Sequence, residues 1–374
     1  MSAPAKILLV DDSIVIRGML SRFIDAESDL EVVSTAANGS IGVQKVDKYR
    51  PDLVVLDVEM PVMTGLEALK AIRQNHPTLP IIMFSTLTGR GATTTLDALS
   101  AGASDYALKP TASGATSDAL NQVRDELITK IRALVGARRS RATARPATRS
   151  TPSASHAPVS YAQRSSQRAS VDAVVIGSST GGPAALERVL HDIERPLDVP
   201  AFIVQHMPEN FTRALAERLD RKTVHRVVEA EPGMTAEPGT FYVAAGGRHL
   251  RLRKRSVSVV LEVYDAPPIN SCRPSVDPLF SSAAEIYGRH ALTVMLTGMG
   301  ADGTDGTRRL ADAGADVLAQ DEATSTVWGM PRSVVEAGLA TEILPLDAIG
   351  PRIASLVMSR GDQRRTAVTS GAAR

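Results

Sequence analysis

Short aliphatic runs alternate with amphipathic stretches along most of the chain. Before residue 136 the runs are Ile7 to Val10, Glu31 to Ala36, Leu53 to Leu56, Ile81 to Phe84 and Tyr106 to Leu108. Each is too short for a helix and rich in branched side chains, so each predicts a strand. The intervening segments place apolar residues at helical spacing, most plainly over Gly65 to Gln74 and Ser117 to Val135. Five such alternations predict a doubly wound, five-stranded parallel sheet. The style resumes after residue 171. Ala173 to Ile176 precedes a helix opened by Pro183, Ala201 to Val204 precedes one near Thr212 to Leu219, and Leu292 to Leu296 precedes one near Gly306 to Ala313. Thr240 to Ala245 and the alternating stretch Arg251 to Leu261 predict antiparallel edge strands, the basic positions of the latter forming a solvated face. The fold class is α/β twice over, the second sheet doubly wound and mainly parallel with an antiparallel edge.

Residues 137–170 break the pattern. They are dominated by Arg, Ser, Ala, Thr and Pro, lack acidic residues and hold one branched aliphatic, Val159. Such a segment buries too little to offset chain entropy and predicts a flexible linker. Its arginines are not interleaved with aromatics beyond Tyr161, which argues against a nucleic-acid platform. The expected organisation is a first domain over 1–136, a linker over 137–170, a second domain over 171–358 and a small, basic, disordered tail over 359–374.

Charge and composition narrow the function. Lys plus Arg total 42 against 41 Asp plus Glu, a net charge of +1, so no overall field favours nucleic acid or anionic lipid. No apolar run reaches the ~18 residues of a membrane span, so a cytoplasmic protein without membrane insertion is expected. The single cysteine, Cys272, excludes an internal disulfide. With 43% hydrophobic but 3% aromatic residues, both cores are aliphatic.

Two sets of residues carry chemistry. Asp11 and Asp12 follow the first predicted strand and Asp57 ends the third, so three carboxylates reach the carboxyl edge of the first sheet, where ligands bind in open α/β folds. Oxygen ligands of this kind suit Mg²⁺. Ser85 and Lys109, at the ends of the fourth and fifth runs, bring a hydroxyl and an ammonium to the same edge. A metal, an ammonium and a hydroxyl around one carboxylate neutralise the charge of phosphoryl transfer onto it. With Leu56-Asp57, Met60-Pro61, Gly65 and Lys109-Pro110, residues 5 to 135 resemble the receiver domain of two-component response regulators. The resemblance implies a flavodoxin-like fold, phosphorylation of Asp57 by a histidine kinase, Mg²⁺ held by Asp11, Asp12, Asp57 and the Glu59 carbonyl, and a switch formed by Ser85 and Tyr106 with Lys109.

The second set begins at Gly177-Ser178-Ser179-Thr180-Gly181, a G-x-S-x-G turn between strand and helix with Ser179 central. Alone, such a turn also serves phosphate binding. His206 directly follows the next strand, whereas His290 precedes its strand and lies on the opposite edge. The strand Leu292 to Leu296 runs into a glycine-dense loop containing Asp302, placed to reach His206. The order Ser, His, Asp differs from that of the α/β-hydrolase fold while preserving the roles of nucleophile, base and orienting acid.

Together with Val204-Gln-His-Met-Pro208, Arg273-Pro-Ser-Val-Asp277, Leu296-Thr-Gly-Met-Gly-Ala-Asp-Gly303 and Gly329-Met-Pro-Arg332, these motifs make residues 171 to about 357 similar to the catalytic domain of the chemotaxis methylesterase family. The resemblance implies phosphorylation-activated hydrolysis of γ-glutamyl methyl esters on the cytoplasmic helices of methyl-accepting chemoreceptors, deamidation of receptor glutamines, and no cofactor for hydrolysis. It also implies oxyanion donors near Met299, beside which lies the Thr180 and Ser178 region; Arg273 either orients the acidic receptor helix or forms a structural ion pair. Position 272 is a departure, Cys standing where some family members carry His. Two other readings are a response regulator with a non-catalytic nucleotide-binding output domain and one with a DNA-binding output domain. The first lacks an acidic residue at a second strand end for a ribose, and the second lacks a basic recognition helix.

Overall fold

The computed structural model describes residues 3–110, 117–143 and 170–357. Most of the expected linker and the whole of the expected tail, residues 359–374, lie outside the described residues. The chain divides into two compact units, residues 1–146 and 147–374.

In the first unit, strands β1 (Ala5–Val10), β2 (Leu30–Ala36), β3 (Leu53–Asp57), β4 (Ile81–Ser85) and β5 (Asp105–Leu108) alternate with helices α1 (Ile14–Asp25), α2 (Gly39–Tyr49), α3 (Gly65–Asn75), α4 (Gly89–Ser100) and α5 (Ser117–Thr143). The sheet order is β2-β1-β3-β4-β5, every pair parallel. Strand β3 is buried along its whole length, as a strand covered on both faces must be. A capping box between Thr64 and Glu67 starts α3 and thereby fixes the return of the loop that leaves Asp57. Helix α5 continues to Thr143, past the residue 137 at which a flexible linker was expected. Arg138 donates to the carbonyls of Pro51 and Asp52, and Arg139 reaches the Asp52 carboxylate. These long-range bonds hold a segment whose composition signals disorder.

The second unit contains β6 (Ala173–Ser178), α6 (Gly182–His191), β7 (Ala201–Gln205), α7 (Phe211–Lys222), β8 (Arg226–Glu229), β9 (Thr240–Val243), β10 (His249–Arg255), β11 (Ser258–Tyr264), α8 (Val276–Tyr287), β12 (Ala291–Met295), α9 (Thr304–Asp312), β13 (Asp316–Gln320), α10 (Met330–Glu336) and β14 (Glu342–Leu344), followed by a helix over 346–357. Its seven-stranded sheet runs β14-β13-β12-β6-β7-β9-β8, all parallel, and β10 pairs with β11 as a separate antiparallel ribbon. The ribbon bears out the antiparallel expectation for Arg251 to Leu261. Strand β9 corrects the expectation for Thr240 to Ala245, since it lies inside the sheet, parallel to both β7 and β8. The parallel return from β8 to β9 uses no helix. Residues 233–236 instead run along β11, with Gly233 N–H donating to Leu261, Ala236 N–H to Val259 and Leu261 N–H to Met234, so no helical pattern marks the crossover. Among the described residues, no helix is long and apolar enough to cross a membrane.

Candidate active site and carboxylate cluster

Parallel register delivers the second unit's chemistry to one edge. Ser178 pairs with Gln205 and Gly177 with Met295, so Ser179, His206 and the loop to Asp302 leave three adjacent strands on the same side. The turn after β6 is tight because Gly181 has φ +77° and a Cβ on Gly182 would sit 1.9 Å from Gln205 Oε1. That space lets Gln205 organise the edge: it accepts from Ser178 Oγ at 2.7 Å and donates to the Ser179 and His206 carbonyls at 2.9 and 3.2 Å. Gly298 has no room for a side chain either, a Cβ there falling 2.9 Å from that of Ser179, so this loop crosses directly against Ser179.

His206 Nε2 bonds Asp302 Oδ2 at 2.8 Å. Asp302, 3% exposed, also accepts from Val276 N–H at 2.7 Å, Ser275 Oγ at 2.6 Å and Asn270 Nδ2 at 2.9 Å. Burial raises the Asp302 carboxyl, but the bonds and charge of His206 and the donors from Ser275 and Val276 prevail and hold it at about 2. Burial likewise opposes the His206 cation. The hydrogen bond of Asp302, with that of Cys272, reverses the balance and lifts the imidazole to about 9. Asp302 occupies Nε2, so the lone pair of the neutral imidazole lies on Nδ1, the nitrogen that faces Cys272 Sγ at 3.5 Å. Ser179 Oγ has no hydrogen-bond partner among the described residues.

Of the other predicted residues, Thr180 is buried, its carbonyl accepting from Thr297 Oγ1. Met299 lies in the loop across Ser179, and its N–H has no partner among the described residues. Arg273 is exposed and donates to the Ala266 carbonyl at 3.1 Å, so its charge remains open to a partner.

A turn at Ile269 to Cys272 escapes sequence reasoning. Ile269 and Cys272 exchange backbone hydrogen bonds at 3.1 and 2.8 Å around Asn270 (φ +51°) and Ser271 (φ +62°), the two-residue I′ geometry that glycine usually supplies. Asn270 Nδ2 bridges Asp277 and Asp302, both at 2.9 Å, and Cys272 Sγ lies 3.5 Å from His206 Nδ1. Both side chains end on the His206–Asp302 pair. Only the Asn at the first turn position hinted at positive φ.

In the first unit Asp11, Asp12 and Asp57 come together, one carboxylate oxygen from each lying within 4.8 Å of the others. Lys109 Nζ reaches Asp11 at 2.9 Å and Asp57 at 2.7 Å. Burial lifts the Asp57 carboxyl to about 6, repulsion from Asp11 adding to it while the bond and charge of Lys109 and the Glu59 N–H pull the other way. Burial also opposes the Lys109 charge, but its two carboxylates outweigh this and raise it above the ordinary lysine value. A cavity of about 260 Å³ lined by Asp12, Asp57, Glu59, Ser85, Thr86 and Lys109 opens over the cluster. Ser85 is buried, donating to the Thr86 and Gly91 carbonyls. Tyr106 is buried too, beneath Lys130, whose ammonium lies 4.7 Å from the ring centroid.

Fold and domain content define a class, a receiver-type response regulator joined in one chain to a hydrolase domain built on a parallel sheet. The chain belongs to the CheB methylesterase family. The CheB methylesterase family model matches residues 174–353 and that of the response regulator receiver domain residues 7–121. A protein-glutamate methylesterase/protein-glutamine glutaminase of Nocardioides sp. is 47% identical over 371 residues, covering 98% of each chain. A Caulobacter vibrioides protein of the same description, numbered 2, is 44% identical, covering 95% of this chain and 99% of its own. Among solved structures, the Thermotoga maritima CheB methylesterase catalytic domain is 42% identical, covers 50% of this chain and all of that one, and has a TM-score of 0.49.

Proposed function

We propose that the protein hydrolyses γ-glutamyl methyl esters of chemoreceptors, and deamidates receptor glutamines at equivalent sites, through Ser179, His206 and Asp302. The observation carrying this reading is the 2.8 Å bond between His206 and a buried, fully hydrogen-bonded Asp302 at the sheet edge beside Ser179. His206 Nδ1 takes the Ser179 proton as Oγ attacks the ester carbonyl carbon, and Asp302 holds the tautomer and balances the imidazolium. The N–H of Met299 and the Thr180 region face the developing oxyanion. His206 then protonates the departing methoxide, or the amine in deamidation, and methanol or ammonia leaves. Water, deprotonated by the same imidazole, cleaves the acyl-enzyme to leave a receptor carboxylate. Arg273 is an exposed cation available to an acidic receptor helix. No step calls for a cofactor.

Asp57 is the phosphoacceptor in this reading, its donor a chemotaxis histidine kinase, and phosphorylation activates the esterase. Three carboxylates facing one ammonium leave a surplus of two negative charges, which fits a divalent cation with oxygen ligands. Asp11, Asp12, Asp57 and the Glu59 carbonyl would hold Mg²⁺, which would offset charge on the incoming phosphoryl group. Lys109 stabilises the product, and Ser85 and Tyr106 respond to it. Such a protein works in the cytoplasm on the cytoplasmic helices of its receptors, and binds neither nucleic acid nor membrane.

Methanol release from methylated receptor, followed with and without a small-molecule phosphodonor and Mg²⁺, tests both halves. The wild type should release methanol faster with the phosphodonor, and Asp57→Asn should stay at its basal rate. No methanol from the folded wild type in either condition would overturn the reading.

A further inference from the structure

Two groups of three potential metal ligands occur among the described residues. One is the all-oxygen cluster at Asp57; the other is His206, Cys272 and Asp302, a nitrogen, sulfur and oxygen set that suits a softer ion. The geometry points to a binding site for Zn²⁺ formed by His206 Nδ1 and Cys272 Sγ, whose occupation shuts off the esterase. At the usual Zn–N and Zn–S bond lengths, two ligands of a tetrahedral ion stand roughly 3.5 Å apart, and Nδ1 and Sγ are 3.5 Å apart. The opposite ring nitrogen is already bonded to Asp302, the outer-shell carboxylate that orients zinc-ligating histidines and raises their basicity. Neither ligand has to move far, because Cys272 is held by the turn and His206 by Asp302.

Zn²⁺ takes a thiolate from Cys272 and the lone pair of a neutral imidazole from His206, so the protons held on Sγ and Nδ1 are displaced and released to solvent. Water fills the remaining positions. Both protein ligands are partly exposed, so the ion has access. The Nδ1 lone pair is the one that accepts the Ser179 proton, so bound zinc leaves Ser179 without a base. The inhibitory half of this inference rests on the reading of His206 as base; the binding half does not.

The test uses the full chain and two probes. Co²⁺ added in place of Zn²⁺ should produce a near-ultraviolet thiolate-to-cobalt charge-transfer band, absent from Cys272→Ala and Cys272→Ser; ions held by the carboxylates at Asp57 give no such band. Zn²⁺ should inhibit methanol release reversibly, chelator restoring the rate. With each variant referred to its own metal-free rate, Asp302→Asn should raise the zinc concentration for half-inhibition by roughly 10- to 100-fold, and Cys272→Ala by at least as much. A missing thiolate band would overturn the site whatever the esterase does, and leaves the proposed function standing if methanol is still released. Unchanged zinc sensitivity in both Cys272 variants would also overturn it. A thiolate band formed without loss of methanol release would overturn the inhibitory half.

Discussion

The two sheet edges are built alike and charged differently. At each, parallel strands deliver side chains to a shared carboxyl edge, Asp11, Asp57, Ser85 and Lys109 in one unit and Ser179, His206 and the Asp302 loop in the other. The first leaves negative charge unbalanced, and burial lifts Asp57 to about 6. The second pairs its carboxylate with one imidazole and three further donors, which hold Asp302 at about 2. Topology sets where chemistry happens, and the balance of donors against charges sets which chemistry it is. The unbalanced edge has the charge that suits a cation; the balanced edge has its hydrogen bonds already in place.

Removing the proposed nucleophile or base should break the balanced edge most severely. Ser179→Ala and His206→Ala should each lower methanol release by ~10³-fold or more, the double variant losing little further, because the two act as a unit. Ser178→Ala should cost far less, since its hydroxyl bonds Gln205 rather than facing the edge. Near wild-type rates from folded Ser179→Ala would remove the comparison altogether.

Asp302→Asn comes next. It keeps the shape but disturbs the tautomer of His206, and the rate should fall by more than about tenfold yet by less than in Ser179→Ala. Asn270→Ala removes one of four groups on Asp302 and should lower kcat by a smaller factor. The kinetic split is the check: a positioning loss appears in kcat, whereas a rise in KM alone would make Asn270 a substrate contact.

These effects separate what the sequence discloses from what it hides. Ser179, His206 and Asp57 end or follow aliphatic runs, so strand pattern alone sends them to sheet edges. Asn270 and Cys272 reach the same site through a turn built on Asn and Ser, whose positive φ no local glycine announces. The direction of β9 was hidden for a related reason, its crossover being a loop hydrogen-bonded to β11. Helix α5 outruns its composition because Arg138 and Arg139 anchor it to distant carbonyls and Asp52. In each case a contact remote in sequence overrides the local signal.

The smallest expected effect concerns the second unit's core. His225 is 2% exposed, its Nε2 donating to the Ile193 carbonyl, and burial lowers its pKa against the opposing backbone bonds. The unfolded chain therefore binds a proton near the ordinary value of about 6.5 where the folded chain does not. This contribution to stability is complete above that value and is lost as pH falls below it. Thermal unfolding of the second unit should show a lower midpoint at pH 5.5 than at pH 7.5, and His225→Gln, which retains a donor, should flatten that dependence. An unaltered slope would place the sensitivity in other groups.

The most direct test of the balanced edge is chemical labelling of its nucleophile. The full chain is treated with a fluorophosphonate, which phosphonylates activated serines, and the adduct is located by peptide mass spectrometry. The account predicts a single adduct on Ser179 that parallels loss of methanol release and forms far more slowly in His206→Ala. An adduct on Ser178 with Ser179 unmodified, or full inactivation with Ser179 free, would contradict it.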